Sequence, residues 1–586
     1  MLPVSAGWRE TIAAAGLDPR RVTLLTGAAP GFQPLQETVE VRSVVDRIAP
    51  SMSIVWEQPV RLARFQVPEQ ATVFTRERWS GAPLAAGYRE GEQIVFWTAV
   101  DPGQKGFERF PYIAQALVEL GLRPRAATRS LWSFFDSSYR LRADPEYLAA
   151  RWRRGGIQAL HIAAWHYWEP DAERDAWLAR LIEACHRHAI TAYAWIEFPH
   201  VSERFWQDHP EWREKTATGQ DAHLDWRKLM NLADPACSRA IEQGLLDLIG
   251  RFDWDGVNLG ELYFESLEGA ANPARFTPFN ATVLGRFEAE TGMKPGRIFD
   301  PAHRSVLKAF LDFRAELAHQ LQQQWLARLA AARKAKPWLD LAFTHVDDRF
   351  DETMRDKLGA DAARLLPVAA RHGATFLVED PATIWHLGPV RYEELARRYA
   401  PLVAQGQSIA VDINVVERYQ DVYPTKHITG GELFETLRAA AKAFPKVAVY
   451  FENSILPADW PLVASSASLA RVEELPGGSL AVDSPQPVRI AWSGCALLDG
   501  RLWPAGDGSS ILAPAGRHTI SPCGGDAAEP TLRLRDFNGE LLGLRAEDGA
   551  LIVQYASASR AIALLTRDGV TAARLLPPGR HTVRLE

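Results

Sequence analysis

Eight short apolar runs along the chain each hand over to residues of the kind that move protons and bind hydroxyl groups. The first ends at Asp136, the second at Trp165-His166-Tyr167-Trp168, the third at Trp195-Ile196-Glu197 and the fourth at Glu261-Leu262-Tyr263. The fifth ends at His345-Val346-Asp347-Asp348, the sixth at Glu379-Asp380, the seventh at Asp412-Ile413-Asn414 and the eighth at Tyr450-Phe451-Glu452. Carboxylates gathered in this way suit cleavage of a glycosidic bond. One carboxylic acid protonates the leaving oxygen, and one carboxylate serves as nucleophile or base against an oxocarbenium-like transition state. The indoles of Trp165, Trp168 and Trp195 are placed to stack on the apolar face of a sugar ring, whereas Trp152 and Trp177 fall in helical stretches and are expected in the core. Any one acidic strand end reads equally well as solvated surface; a carboxylate on seven of the eight does not.

Metal chemistry calls for a different pattern. The first run, Leu131-Trp132-Ser133-Phe134-Phe135, has no His-x-His pair, so the metal expectation is none, although His161, His166, His200 and His345 remain as a set that would have to converge in space. No Gly-rich phosphate loop of Walker or Rossmann spacing occurs, and no cofactor is expected. The net charge is −6 with no block of like charge, which argues against a nucleic-acid partner. No apolar run approaches the roughly 20 residues of a membrane span.

The elements that must position these residues follow from the pattern itself. The runs lie at 131–135, 157–165, 190–198, 255–259, 339–345, 374–379, 408–414 and 447–452, with amphipathic stretches between them at 175–188, 237–251, 305–336, 361–372, 392–405 and 431–444. Eight β-then-α units predict an α/β fold of the (β/α)8 TIM-barrel type, with insertions after the third and fourth strands; a doubly wound open sheet is the competing arrangement. The active site of such a barrel sits at the C-terminal ends of its strands, where the polar residues are.

With 586 residues the chain has room for more than one domain. Residues 1–125 read as an N-terminal α/β domain, with strand-like runs at 21–25, 71–75 and 93–99 and a helix at 110–120; residues 126–465 hold the barrel, and 466–586 read as C-terminal β-sandwich modules. These last contain an echo, Gly477-Gly478-Ser479-Leu480 to Gly516-Arg517-His518-Thr519 against Asp548-Gly549-Ala550-Leu551 to Gly579-Arg580-His581-Thr582. The four cysteines show no CxxC spacing and read as reduced thiols, with Cys495 and Cys523 near enough in sequence to pair. The start of the chain has no basic segment followed by an apolar one, which fits either a cytoplasmic protein or an exported one without its leader.

Two resemblances sharpen this reading. The stretch Trp206, Pro210-Glu211-Trp212, Gly219-Gln220-Asp221, Met230-Asn231-Leu232-Ala233-Asp234-Pro235 and Phe252-Asp253-Trp254-Asp255-Gly256-Val257 resembles a group of bacterial glycoside-hydrolase-like TIM barrels over about 60 residues. Gly260-Glu261 stands where that group carries paired aspartates at the end of the fourth strand. The segment from Gly87-Tyr88 through Asp101-Pro102-Gly103 to Tyr112-Ile113-Ala114 resembles the end of glutamine-amidotransferase-like domains attached to some glycosidases; no cysteine lies in residues 1–125 to serve as a nucleophile.

The first resemblance implies a carbohydrate substrate and a catalytic carboxylate at Glu261. Its partner is then Glu379 or Asp380 on strand six, as in α-galactosidase-like barrels, or Asp412 on strand seven, as in the common retaining arrangement. Strand six is preferred, since adjacent carboxyls raise one another's pKa. Asp136, Trp165, His166, Trp195, Glu197, Tyr263, His345, Asp347, Asp348, Asp380, Asn414 and Glu452 are the expected hydroxyl-binding or supporting groups. A catalytically inactive carbohydrate-binding barrel and a metal-dependent barrel hydrolase or lyase remain the alternatives.

Overall fold

The computed structural model describes residues 7–139, 143–224, 226–266, 268–417, 426–524 and 531–586. Eight parallel strands close into a barrel: β1 Leu131–Phe135, β2 Ile157–Ala163, β3 Thr191–Glu197, β4 Gly256–Gly260, β5 Asp340–Val346, β6 Ala374–Glu379, β7 Ile409–Asn414 and β8 Lys446–Tyr450. The closing pair, β8 beside β1 with Ala448 against Trp132 and Val449 against Ser133, excludes the open doubly wound sheet. Each strand leads to a helix of the outer ring: α1 Pro145–Arg154, α2 Ala172–Arg187, α3 Pro235–Arg251, α4 Arg304–Ala332, α5 Ala362–Arg371, α6 Arg391–Tyr399, α7 Gly430–Ala443 and α8 Trp460–Ser466. Three of these start on an aspartate whose carboxylate accepts first-turn N–H groups, Asp144, Asp171 and Asp234, two of them with proline at the first helical position.

Strand alternation sorts the side chains. Leu160, Ile162, Ala194, Leu341, Phe343, Phe376, Val378 and Val411 point outward into the helix layer. Trp132, Phe134, Tyr193 and Trp195 fill the barrel interior from β1 and β3, and Ala342, Ala410 and Ala448 leave them room from β5, β7 and β8. Two expected strands are shorter than the apolar runs suggest. Beyond Ala163 the chain turns into a 3-10 segment, Ala164–Tyr167, and beyond β8 into Glu452–Ser454.

On the flank of the barrel, a six-stranded sheet runs in the order Val22–Thr26, Gln93–Thr98, Pro83–Glu90, Thr72–Glu77, Gln33–Asp46, Ile54–Gln66, with only the first pair parallel. Its core takes in Phe434 of α7 and Leu462 of α8. Gly430 opens α7 at φ +58°, where a Cβ would stand 2.3 Å from the Pro111 carbonyl oxygen. After the barrel, small antiparallel sheets share one core that includes Leu480, Ile520, Leu551 and Leu585, so both copies of the sequence echo form strand pairs around the same interior. Ala126–Thr128, just before β1, pairs with Val488–Ala491 of this C-terminal region.

The C-terminal region covers the N-terminal face of the barrel. Arg560 Nε donates to Asp255 Oδ1 at 2.7 Å, while Asp255 Oδ2 accepts from the Ala192 N–H at 2.7 Å and lies 2.8 Å from His186 Nε2. The opposite, C-terminal mouth is left to the strand-end loops. Cys495 and Cys523 form a disulfide, which corrects the reading of four reduced thiols; Cys185 and Cys237 are free and buried. Among the described residues no helix is long and apolar enough to cross a membrane.

Candidate active site at the barrel mouth

The same alternation that points Ala410 and Leu377 into the barrel carries Asp412 and Glu379 inward two residues later, at the mouth. On β3, Trp195 and Glu197 are inward in the same way. Glu261 follows β4 with its N–H donating to the Thr344 carbonyl at 3.2 Å, and its backbone takes the left-handed conformation at φ +52°. A non-glycine residue held there is unfavourable and persists only where its surroundings require it. Arg227, on a two-stranded hairpin of His223–Leu224 and Arg227–Lys228 in the insertion after β3, reaches over this ring. Its guanidinium contacts Glu261 and Glu265 directly and lies 3.5 Å from Glu197 Oε2.

Burial and crowding of negative charge govern protonation here. Glu197 is pushed well above the carboxylate range by burial and then by Glu261, against the pull of Arg227. Glu379 rises likewise through burial, then through Glu261, Asp412 and Glu197. Burial, followed by Asp380, raises Asp412. Glu265 is raised to about 8 by burial, with Arg227 only partly offsetting it. Burial opposes the charge on Arg227, but Glu261, Glu265 and Glu197 outweigh it and hold the guanidinium protonated. The mouth therefore keeps carboxylic acid protons at neutral pH, the condition for a general acid.

An aromatic wall adjoins the carboxyls. Trp195 meets Phe134 and Trp165 edge to face, at 4.8 and 4.7 Å between centroids, and Trp165 stacks on Trp226 at 5.1 Å. Tyr450 packs edge-on against Phe134 at 5.4 Å and, like Tyr263, has its phenol pushed up by burial and the neighbouring glutamates. Trp226 is 49% exposed and presents an open face to solvent. Asp136 lies 2.9 Å from His166 Nε2 on the rim.

Several expected site residues are occupied elsewhere. His345 is flanked by the inward Thr344 and Val346 and so points outward, against Phe376 in the helix layer, 3.4 Å from Asp348. Asp348 accepts from the Ala362 N–H at the start of α5 and pairs with Arg349, and Asp347 accepts N–H groups of Arg349, Phe350 and Asp351. These three hold the loop after β5, which fits the supporting half of the expectation for them. Glu452 lies beyond β8 and accepts from Trp152 Nε1 of α1 at 2.9 Å. Asp380 is committed to the fully buried Arg391, and Asn414 Nδ2 donates to it at 3.3 Å; the pair backs Asp412 from behind. Trp168 lies against Phe205 and α3, away from the mouth.

The four histidines do not converge. His161 is inside the barrel between Trp132 and Tyr193, His200 lies under Trp226 and accepts from the Lys228 N–H, and burial pushes both down to about 3. Among the described residues no group of three or more His, Cys, Asp or Glu is arranged to hold a metal. The strand-end rule passed over Arg227, Glu265 and Trp226, and Tyr450, though it closes the eighth run, was not assigned a role. That buried carboxylates need a cation was foreseeable, but not that Arg227 supplies it.

No protein-family model matches the sequence, and no curated protein matches it. Solved structures similar to the chain include the glycoside hydrolase domain of PgaB (BpsB) from Bordetella bronchiseptica, at 12% identity and TM-score 0.43 over 58% of this chain and 98% of that one. A β-galactosidase from the haloarchaeon Halorubrum lacusprofundi aligns at 12% identity and TM-score 0.43, and α-L-fucosidase isoenzyme 2 from Paenibacillus thiaminolyticus at 13% and 0.37. These cover 58% and 59% of this chain, which in turn spans 57% and 51% of the two enzymes.

Proposed function

We propose that the chain is a glycoside hydrolase acting on a poly- or oligosaccharide, with Glu379 as general acid and Glu261 as the carboxylate that acts as nucleophile or base. The observation that carries this reading is the carboxyl ring of buried Glu197, Glu265 and Asp412 and half-buried Glu261 and Glu379 beside the wall of Trp165, Trp195 and Trp226. Glu379 suits the acid because burial, followed by the neighbouring carboxyls of Glu261, Asp412 and Glu197, raises it well above the ordinary range. Asp412 supports it from β7, Glu197 and Tyr263 approach sugar hydroxyls, and Asp136 with His166 marks the outer rim. The C-terminal β-sandwich modules and the amidotransferase-like N-terminal sheet are accessory in this reading.

One observation favours a second reading, a sugar-binding barrel without turnover: Arg227 already engages Glu197, Glu261 and Glu265. Sugar release from a panel of bacterial and plant glycans, run for wild type, Glu261→Gln and Glu379→Gln with circular dichroism as the folding control, separates the two. Loss of activity by roughly a hundredfold or more in each variant is expected. Glu379→Gln should retain most of its activity on aryl glycosides whose leaving group needs no proton. Glycan binding with no release from wild type would establish the second reading, and activity surviving both substitutions would overturn the assignment.

A further inference from the structure

A cleft of about 1060 Å³ opens on the side of the molecule away from the mouth, between the start of β1, α1 and the C-terminal sheets. Eight arginines and three carboxylates line it, and no lysine does. That local excess of positive charge stands out in a chain whose net charge is −6.

At its floor three guanidiniums share one carboxylate. Arg129 Nη2 donates to Asp536 Oδ1 at 2.6 Å, Arg153 Nε to Oδ2 at 2.8 Å, and Arg489 Nη2 stands 3.1 Å from Oδ2. Burial would raise the Asp536 carboxyl, but the three arginines hold it well below the usual range. Arg129 is 94% buried, lines the cleft, and its Nε has no hydrogen-bond partner among the described residues. Burial pushes this guanidinium down to about 9 against the pull of Asp536, with Arg153 and Arg489 adding to the push. Three guanidiniums against Asp536, with only Arg489 also paired to Asp507 among the described residues, leave surplus positive charge at the floor that an incoming anion would meet.

The walls extend the charge. Arg154 and Arg535 are exposed; Arg535 donates to Thr571 Oγ1 at 3.1 Å, and neither forms an ion pair among the described residues. Arg151 stacks on Trp460 with its guanidinium carbon 4.9 Å from the ring, and Tyr147 stands 60% exposed at the same edge.

We infer that this cleft binds a polysaccharide carrying carboxylate or sulfate groups, separately from the barrel mouth. Guanidinium forks match the paired oxygens of both groups, which a lysine ammonium does not. The concave shape receives a chain segment, and the Tyr147 ring offers a sugar-stacking face beside the charges. A nucleic acid would be steered by a broad basic field, which an acidic chain lacks.

Affinity electrophoresis of the full chain through gels holding polygalacturonate, dextran sulfate or neutral dextran tests this without any need for turnover, so its outcome is independent of the function proposed for the mouth. Retardation by at least one of the two polyanions and none by dextran is expected; binding of only one identifies the anionic group. The double variant Arg154→Ala/Arg535→Ala, which breaks no ion pair, should bind about tenfold more weakly. No retardation by either polyanion, retardation undiminished in the double variant, or tighter binding of a single-stranded oligonucleotide in competition would each overturn the proposal.

Discussion

Raising the pH through the neutral range should weaken the fold, and Glu265 carries a part of that effect that one substitution removes. Burial, opposed by Arg227 and helped by Glu261, lifts its carboxyl from an ordinary 4.5 to about 8. Between those values the folded state holds a proton that the unfolded state has lost, so stability is fully present below the unfolded pKa and is lost as the pH rises through the folded one. Each such group tilts the stability curve by about 1.4 kcal/mol per pH unit across its window. Glu197, Glu379 and Asp412, raised in the same direction, add to the slope with the same sign. Glu265→Gln keeps the shape and neutrality of the protonated acid. Its unfolding free energy, from urea titrations followed by tryptophan fluorescence at constant ionic strength, should fall less steeply than wild type by about 1.4 kcal/mol per unit between about pH 5 and about pH 7.5. Equal slopes, together with a loss of about 3–5 kcal/mol in the variant at the alkaline end, would show instead that Glu265 is an ionised partner of Arg227 and refute the reasoning.

Two other substitutions probe the docked C-terminal region and the aromatic wall. Arg560→Met leaves Asp255 buried with His186 as its remaining ionisable partner and should destabilise the barrel by about 3–5 kcal/mol in calorimetry; a change under about 0.5 kcal/mol would mean that the pair does not couple the two parts. Trp226→Ala removes a half-exposed ring, so stability should stay within about 0.5 kcal/mol while KM for a released glycan rises five- to tenfold, roughly 1 kcal/mol, at constant kcat; an unchanged KM would take Trp226 out of the binding wall.

What the sequence made legible, and what it hid, divides along physical lines. β1 and β6 begin and end where their apolar runs do, because Ser130, Asp136, Gly373 and Asp380 punctuate them with residues that strands avoid. The carboxyls two residues beyond an inward core position, such as Glu379 after Leu377 and Asp412 after Ala410, were readable for the same reason. Listing strand ends without regard to parity does not distinguish His345, whose odd step from Thr344 turns it to the helices, or Glu452, which lies past the last strand pair. Local pattern carries no information about which loop folds back, and so Arg227 stayed hidden: it sits 30 residues from Glu197 and 34 from Glu261. Yet that arginine is the cation that opposes the rise of Glu197, Glu265 and Glu379. The strands bring five carboxyls together, a grouping that desolvation and mutual repulsion oppose, and the cation offsetting this comes from a hairpin that belongs to no barrel element. The protonation of the mouth is therefore a property of the insertion after β3 as much as of the barrel. Any change that lifts the hairpin away would remove the cation that opposes the rise of Glu197, Glu265 and Glu379 and push these three carboxyls further up.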